Sequence, residues 1–307
     1  MRHEFRQGVR PLTARTADQI AVVAHRGSSE DAPEHTLAAY RKAIEDGADA
    51  LECDVRLTAD GHLVCVHDRR VNRTSNGRGA VSRLELADLA ELDFGSWKLR
   101  HGQGRAGEEP GTDLFESPDT DAQEPQDGGP GQEQGPVGGS RAGAQEHASV
   151  LTLERLLQLV AEAGRPVGLA IETKHPTRWA GQVEEHLLAL LDRYRLDSPV
   201  RVMSFSARSL QRVRLARPEL PTVYLMQLLL PRLRDGRLPG GGRIAGPSVR
   251  ILRAHPEYVE RAHRAGNEVH VWTVDDPADV TLCARLGVDA VITNRPRRVR
   301  EQLASLA

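Results

Sequence analysis

Glu52 and Asp54 stand two residues apart inside the run Leu51–Val55. On an extended chain they fall on the same side, so a strand there presents two acids from one face. His25, Arg26 and Gly27 follow directly on the apolar run Ile20–Ala24, which puts an imidazole and a guanidinium at the carboxyl end of a short buried strand. Glu172 ends another apolar run, Val167–Glu172, and Lys174 lies two residues further on, on the same face if the chain stays extended. Three acids at neighbouring strand ends, with no cysteine or histidine cluster beside them, favour a hard divalent cation, Ca2+ or Mg2+, over zinc. The ion also explains how three carboxylates stay ionised together. The plainer alternative is that Glu52 or Asp54 pairs with an arginine, since buried acids need compensation of some kind.

His67 is brought to this group by a hairpin. Asp60-Gly61 is a two-residue turn signal between extended segments, and Leu63–Val66 lead back to His67 and Asp68. With Asp60 and Gly61 as the loop, Ala59 pairs with His62 and Asp54 lies roughly opposite His67. His25 and His67 then face each other across the acids, where imidazoles suit general acid and general base work at neutral pH. Arg26 offers a planar fork to an anionic oxygen of phosphate or carboxylate. Trp272, at the end of a later strand, either packs against a ligand or fills the mouth of the fold. Phe205 reads as packing, and Asn294 either contacts a ligand or closes a turn.

The elements that must carry these groups alternate along the chain. Apolar strands are expected at Ile20, Leu51, Val167, Val200, Thr222, Val249, Val269 and Ala290, each followed by a helical or loop crossover. The Gly/Pro-rich stretch Leu238–Pro247 is expected as loop. The return strand Leu63–His67 is excluded from this series because a tight turn makes only an antiparallel neighbour. Eight βα units on this length predict an α/β fold, a (β/α)8 TIM barrel with a β-hairpin extension after its second strand, in which functional groups gather at the carboxyl ends of the strands. Thr36 and Thr152 are expected to cap helices from Leu37 and Leu153, and Ser82 with Glu85 resembles a capping box.

Residues 101–148 change abruptly to Gly, Pro, Glu, Gln and Asp, a composition that buries too little surface to offset ordering entropy. They are expected as a flexible insertion within a single domain spanning 20–299, preceded by an irregular segment, 1–19. A formal net charge of -2 gives no global attraction to nucleic acid or to an anionic membrane. No stretch approaches the roughly 20 apolar residues of a spanning helix, so a cytoplasmic enzyme acting on a small molecule is expected. Cys53, Cys65 and Cys283 suit reduced, buried thiols better than a disulfide framework.

Taken in order, His25-Arg26-Gly27, Pro33-Glu34-His35-Thr36, Glu52-Cys53-Asp54-Val55, Thr58-Ala59-Asp60-Gly61, His67-Asp68, Ile171-Glu172-Thr173-Lys174, Trp272-Thr273-Val274 and Thr293-Asn294-Arg295-Pro296 resemble the motif series of the glycerophosphodiester phosphodiesterase family. The resemblance implies a divalent cation on Glu52, Asp54 and Glu172, with His25 and His67 as acid and base. It also implies that Arg26, Lys174, Glu34 and Trp272 hold a glycerophosphodiester and its phosphate. The family has asparagine where this chain has His35, and the region 72–149 is longer than the family's small covering segment. Two other readings stand beside it. One is a phosphodiesterase for lysophospholipids or phosphoinositide headgroups on the same barrel, approached over Leu228, Leu229 and Leu230. The other is a barrel that binds a phosphorylated ligand without catalysis.

Overall fold

The computed structural model describes residues 13–100, 149–174 and 181–307. The insertion expected at 101–148 and most of the expected irregular segment, 1–12, lie outside the described residues. Strands β1 (Ala21–His25), β2 (Ala50–Leu57), β4 (Gly168–Thr173), β5 (Val200–Ser204), β6 (Thr222–Met226), β7 (Ile244–Pro247), β8 (Glu268–Val271) and β9 (Ala290–Thr293) pair in parallel, and a β1–β2 pairing closes the ring. Strand β3 (Leu63–Cys65) lies antiparallel on the far end of β2. This is the expected TIM barrel with its hairpin.

Alternation decides what each strand residue does. Val23, Ala50, Ala170, Met203, Val223 and Ile292 fill the barrel interior. Leu51, Cys53 and Val55, one position out of step with the acids, point outward into a second cluster with Leu156, Leu157 and Leu169. The odd positions of β2 thus anchor the strand against helices while its even positions serve the site. Thr36 Oγ1 accepts from Ala39 N at 3.2 Å and Thr152 Oγ1 from Arg155 N at 3.2 Å, capping the helices Leu37–Glu45 and Leu153–Ala161. Each such cap is worth about 1 kcal/mol. All three cysteines are free and buried.

Three local expectations are corrected. The seventh parallel strand is Ile244–Pro247, while Val249–Leu252, expected as strand, lies in the helix Val249–Ala254, which buries Val249, Ile251 and Leu252. The glycine that made the first stretch look like loop is there for packing: a Cβ on Gly246 would stand 2.8 Å from Leu225 Cδ2 and 3.0 Å from Val223 Cγ1. Four residues, three of them apolar, do not by themselves separate helix from strand. The hairpin loop is three residues, with Thr58 N donating to His62 O at 2.9 Å and Gly61 at φ 87°, a standard alternative to the two-residue turn. Val55 therefore opposes Cys65, and Val66 N donates to Asp54 O at 3.2 Å. Lastly, Val81–Arg83 is a short 3-10 turn, and the capping pair is Glu85 with Asp88, not Ser82 with Glu85.

Two additions complete the ring. Ala17–Gln19 forms a 3-10 turn, and Arg15 pairs with Asp289 at 3.1 Å, docking the start of the described chain on the barrel. The helix Pro296–Leu306, not anticipated, buries Val299 and Leu303 and runs past the boundary expected at 299.

Candidate active site

Register brings the chemistry together. In β1–β2 His25 stands level with Glu52, and in β2–β4 Asp54 stands level with Glu172. Partners level in a parallel pair project to the same side, so three adjacent strands deliver one imidazole and three acids to one end of the barrel. One carboxylate oxygen from each of Glu52, Asp54 and Glu172 lies within 4.8 Å of the other two, and all three residues are buried. The spatial convergence expected from sequence is present.

The cations expected nearby are there too, held by the acids. Lys174 Nζ lies 2.8 Å from Asp54 Oδ1 and 2.8 Å from Glu172 Oε1. Arg26 Nε stands 3.0 Å from Asp54 Oδ2, Arg26 Nη1 donates to Glu34 Oε1 at 3.1 Å, and its backbone N donates to Glu52 Oε2 at 3.0 Å. That geometry bends the first loop sharply: Arg26 has φ 58° and Gly27 φ 87°. A Cβ on Gly27 would lie 2.6 Å from the Ala39 carbonyl carbon, so only glycine lets the loop rest on the helix behind it.

Burial and charge set the protonation of this group. Burial, then the neighbouring Asp54, holds the Glu52 carboxyl well above its ordinary range. Burial raises Glu172 to about 7, with Lys174 opposing and Asp54 adding to the rise. Burial also works against the charge of Asp54, but Lys174, Arg26 and His67 outweigh it and keep this acid well below the usual range. Asp54 Oδ1 is nonetheless buried without an aligned hydrogen bond. A donor set of carboxylate oxygens alone, from three buried acids gathered within 4.8 Å, fits a hard divalent cation.

The two imidazoles are backed differently. Asn294 Nδ2 donates to Asp275 Oδ2 at 2.5 Å, which turns Asn294 Oδ1 toward His25 Nδ1 at 2.8 Å. Ser29 Oγ donates to the same Oδ1 at 2.6 Å. His67 Nδ1 meets a carboxylate instead, Asp68 Oδ1 at 2.7 Å. An acceptor at Nδ1 in both cases places the proton there and leaves Nε2 with its lone pair. Burial, then Arg26, lowers His25 to about 3, and the same two causes followed by Lys174 lower His67 to about 3. His67 reaches this position although the register is shifted by one residue. The chain leaves the ladder after Cys65, and the Arg56 guanidinium holds the His67 carbonyl at 2.9 and 2.8 Å.

The remaining candidate residues have protein partners of their own. Both Glu34 oxygens are engaged by guanidinium groups, Oε1 by Arg26 and by Arg73 at 2.7 Å, and Oε2 by Arg73 at 2.8 Å. Glu34 therefore orients arginines. Trp272 Nε1 donates to Gly246 O at 2.7 Å, and its ring meets Phe205 edge-on at 5.5 Å. Leu228 is 68% and Leu230 39% exposed, while Leu229 packs on the core. Tyr40, whose hydroxyl donates to the Glu52 carbonyl at 3.1 Å, and Asp275, Ser29 and Arg73 carry no mark in the sequence. Each acts through a contact distant in sequence or sits in a turn, and no spacing rule marks it.

The sequence model of the Glycerophosphoryl diester phosphodiesterase family matches residues 25–298. A probable glycerophosphodiester phosphodiesterase 1 of Mycobacterium tuberculosis is 40% identical over 289 residues, covering 92% of both chains. A glycerophosphodiester phosphodiesterase of Bacillus subtilis is 32% identical over 289 residues, covering 91% of this chain and 85% of its own. The solved structure of an Oleispira antarctica phosphodiesterase in complex with the product sn-glycerol-3-phosphate shares the fold. Its TM-score is 0.69 at 22% identity, covering 94% of this chain and 100% of that one.

Proposed function

Because the chain belongs to the glycerophosphoryl diester phosphodiesterase family, and is a phosphoric diester hydrolase on that ground, we propose that it cleaves glycerophosphodiesters to an alcohol and glycerol 3-phosphate by two-histidine acid/base catalysis at a divalent-cation site. The observation that carries this reading is the convergence of Glu52, Asp54 and Glu172 within 4.8 Å. It is supported by two imidazoles whose Nδ1 atoms are both engaged.

Glu52, Asp54 and Glu172 would hold Ca2+ or Mg2+, which supplies positive charge against the non-bridging phosphate oxygens. Arg26 spends Nε and Nη1 on acids, so its remaining edge serves the phosphate. Lys174 adds a second positive charge beside it. One imidazole Nε2 takes the proton of the attacking oxygen, and the other, able to hold a proton at Nε2 once the anionic phosphate offsets the charges of Arg26 and Lys174 beside it, delivers it to the leaving alcohol oxygen. With the neighbouring glycerol hydroxyl as nucleophile, the P–O bond to the alcohol breaks as a ring P–O bond forms. Water then opens the cyclic phosphodiester with the imidazole roles exchanged, and the net reaction consumes one water. Trp272 and Phe205 form an apolar wall at the mouth against which glycerol or the leaving group rests.

The exposure of Leu228, with Leu230 and Phe205 partly exposed, favours one second reading: a substrate that keeps an acyl chain. Turnover of glycerophosphocholine against lysophosphatidylcholine, with each cation in turn, tests both. Preference for the first supports the main reading, and preference for the second replaces it. Loss of all turnover on chelation is expected for either.

A further inference from the structure

We infer that Arg73 is a positioning residue for this reaction, locking the carboxylate behind His67 and the carboxylate behind Arg26 with a single guanidinium. The inference rests on the proposed roles of His67 and Arg26 and goes beyond them. Arg73 lies in the turn after β3. Its Nε donates to Asp68 Oδ2 at 2.7 Å and its Nη2 to Asp68 Oδ1 at 3.2 Å. On the other side Nη1 donates to Glu34 Oε2 at 2.8 Å and Nη2 to Glu34 Oε1 at 2.7 Å.

Two paired contacts from one planar group fix the angle of both carboxylates, which a point charge such as lysine does not do. Beyond each acid stands a proposed working group. Asp68 Oδ1 receives His67 Nδ1–H at 2.7 Å, and Glu34 Oε1 receives Arg26 Nη1–H at 3.1 Å. Arg73 thereby holds the proton-transfer side and the phosphate side in one arrangement. Its guanidinium carbon lies 5.8 Å from the centre of the Trp97 ring, within cation–π reach. The turn beneath is tied by Ser75 Oγ donating to Val71 O at 2.8 Å and by Val71 N donating to Gly79 O at 3.0 Å. Without Arg73, Asp68 and Glu34 would be two carboxylates sharing no cation between them, free to turn away from His67 and Arg26.

The test is a double-mutant cycle on the full-length, cation-saturated enzyme, using Arg73→Met, Asp68→Asn and the pair, with Arg73→Lys and His67→Ala alongside. Turnover of glycerophosphocholine gives kcat and KM, and 15N spectra of the histidine rings report which nitrogen of His67 carries the proton. Expected is a fall in kcat of about 10- to 100-fold in Arg73→Met. The double variant should be little worse than the worse single one, because both act through the same imidazole. The His67 Nδ1–H signature should weaken in Arg73→Met, and Arg73→Lys should recover only part of kcat. If Arg73→Met does not fold, Arg73→Lys decides, and unchanged kcat there overturns the inference. Additive losses, or wild-type kcat with an unchanged His67 signature, also overturn it. Full activity in His67→Ala would instead sink the two-histidine reading, so the two failures are distinguishable.

Discussion

His35 Nε2–H donates to Asp54 Oδ2 at 2.9 Å, while the other nitrogen of the same ring meets the Tyr40 hydroxyl at 2.8 Å. Tyr40 Oη in turn donates to the Glu52 carbonyl at 3.1 Å. His35, which stands where the motif resemblance implies asparagine, thus orients one proposed metal ligand and is braced against the backbone of another. Outer partners of this kind commonly change metal affinity by about 10- to 100-fold. His35→Ala is expected to weaken calcium or magnesium binding within that range, as measured by calorimetric titration. His35→Asn, which keeps a donor near Asp54, should lose less. Wild-type affinity in His35→Ala would show that the donor at this place is dispensable.

Metal binding should expel protons. Glu172 sits at about 7 and Glu52 above its ordinary range because burial penalises their charged forms, yet an ion needs both ionised. Affinity is therefore expected to rise as the pH climbs toward and above 7. Titrations in two buffers of different ionisation enthalpy should show net proton release. Glu172→Ala should chiefly lower affinity for the ion.

Away from the site, Asp289 has its pKa moved the other way. Burial disfavours its charge, but His263, the Val269 amide and Arg15 outweigh that and lower its pKa in the folded protein. An acid depressed on folding contributes stability above its unfolded value of about 3.9 and loses it as the pH falls through the folded value. Between pH 7 and pH 3 the wild-type melting temperature should fall more steeply than that of Asp289→Asn. Parallel curves would remove Asp289 from the acid sensitivity.

The reassigned seventh strand makes a mechanical prediction. Gly246→Ala places a methyl 2.8 Å from Leu225 Cδ2, and overpacking of this kind costs about 1–3 kcal/mol. Urea denaturation should show the loss with an unchanged slope, whereas a glycine in a surface loop would tolerate the change.

What could be read from sequence divides along physical lines. Strand alternation placed Glu52 and Asp54 on one face, and register delivered Glu172 level with Asp54. Side-chain periodicity is a local property, so those residues were legible. The count of eight parallel strands was right while one of its members, Val249–Leu252, was helix, because four residues are too few to show a period and Gly246 hides a strand behind a turn residue. The hairpin register was off by one because Asp-Gly serves two- and three-residue loops alike. His67 still arrived, through Arg56 holding its carbonyl. The layer behind the imidazoles, Asn294 with Asp275 from separate loops and Asp68 with Arg73 within one irregular turn, depends on backbone geometry that no spacing encodes.

The most direct measurement is turnover of glycerophosphocholine by cation-saturated His67→Ala, with metal affinity taken on the same sample. An essential acid or base is worth about 10²- to 10⁴-fold, so turnover should fall by at least that range while the affinity stays as in wild type. Undiminished turnover at wild-type affinity would contradict the account.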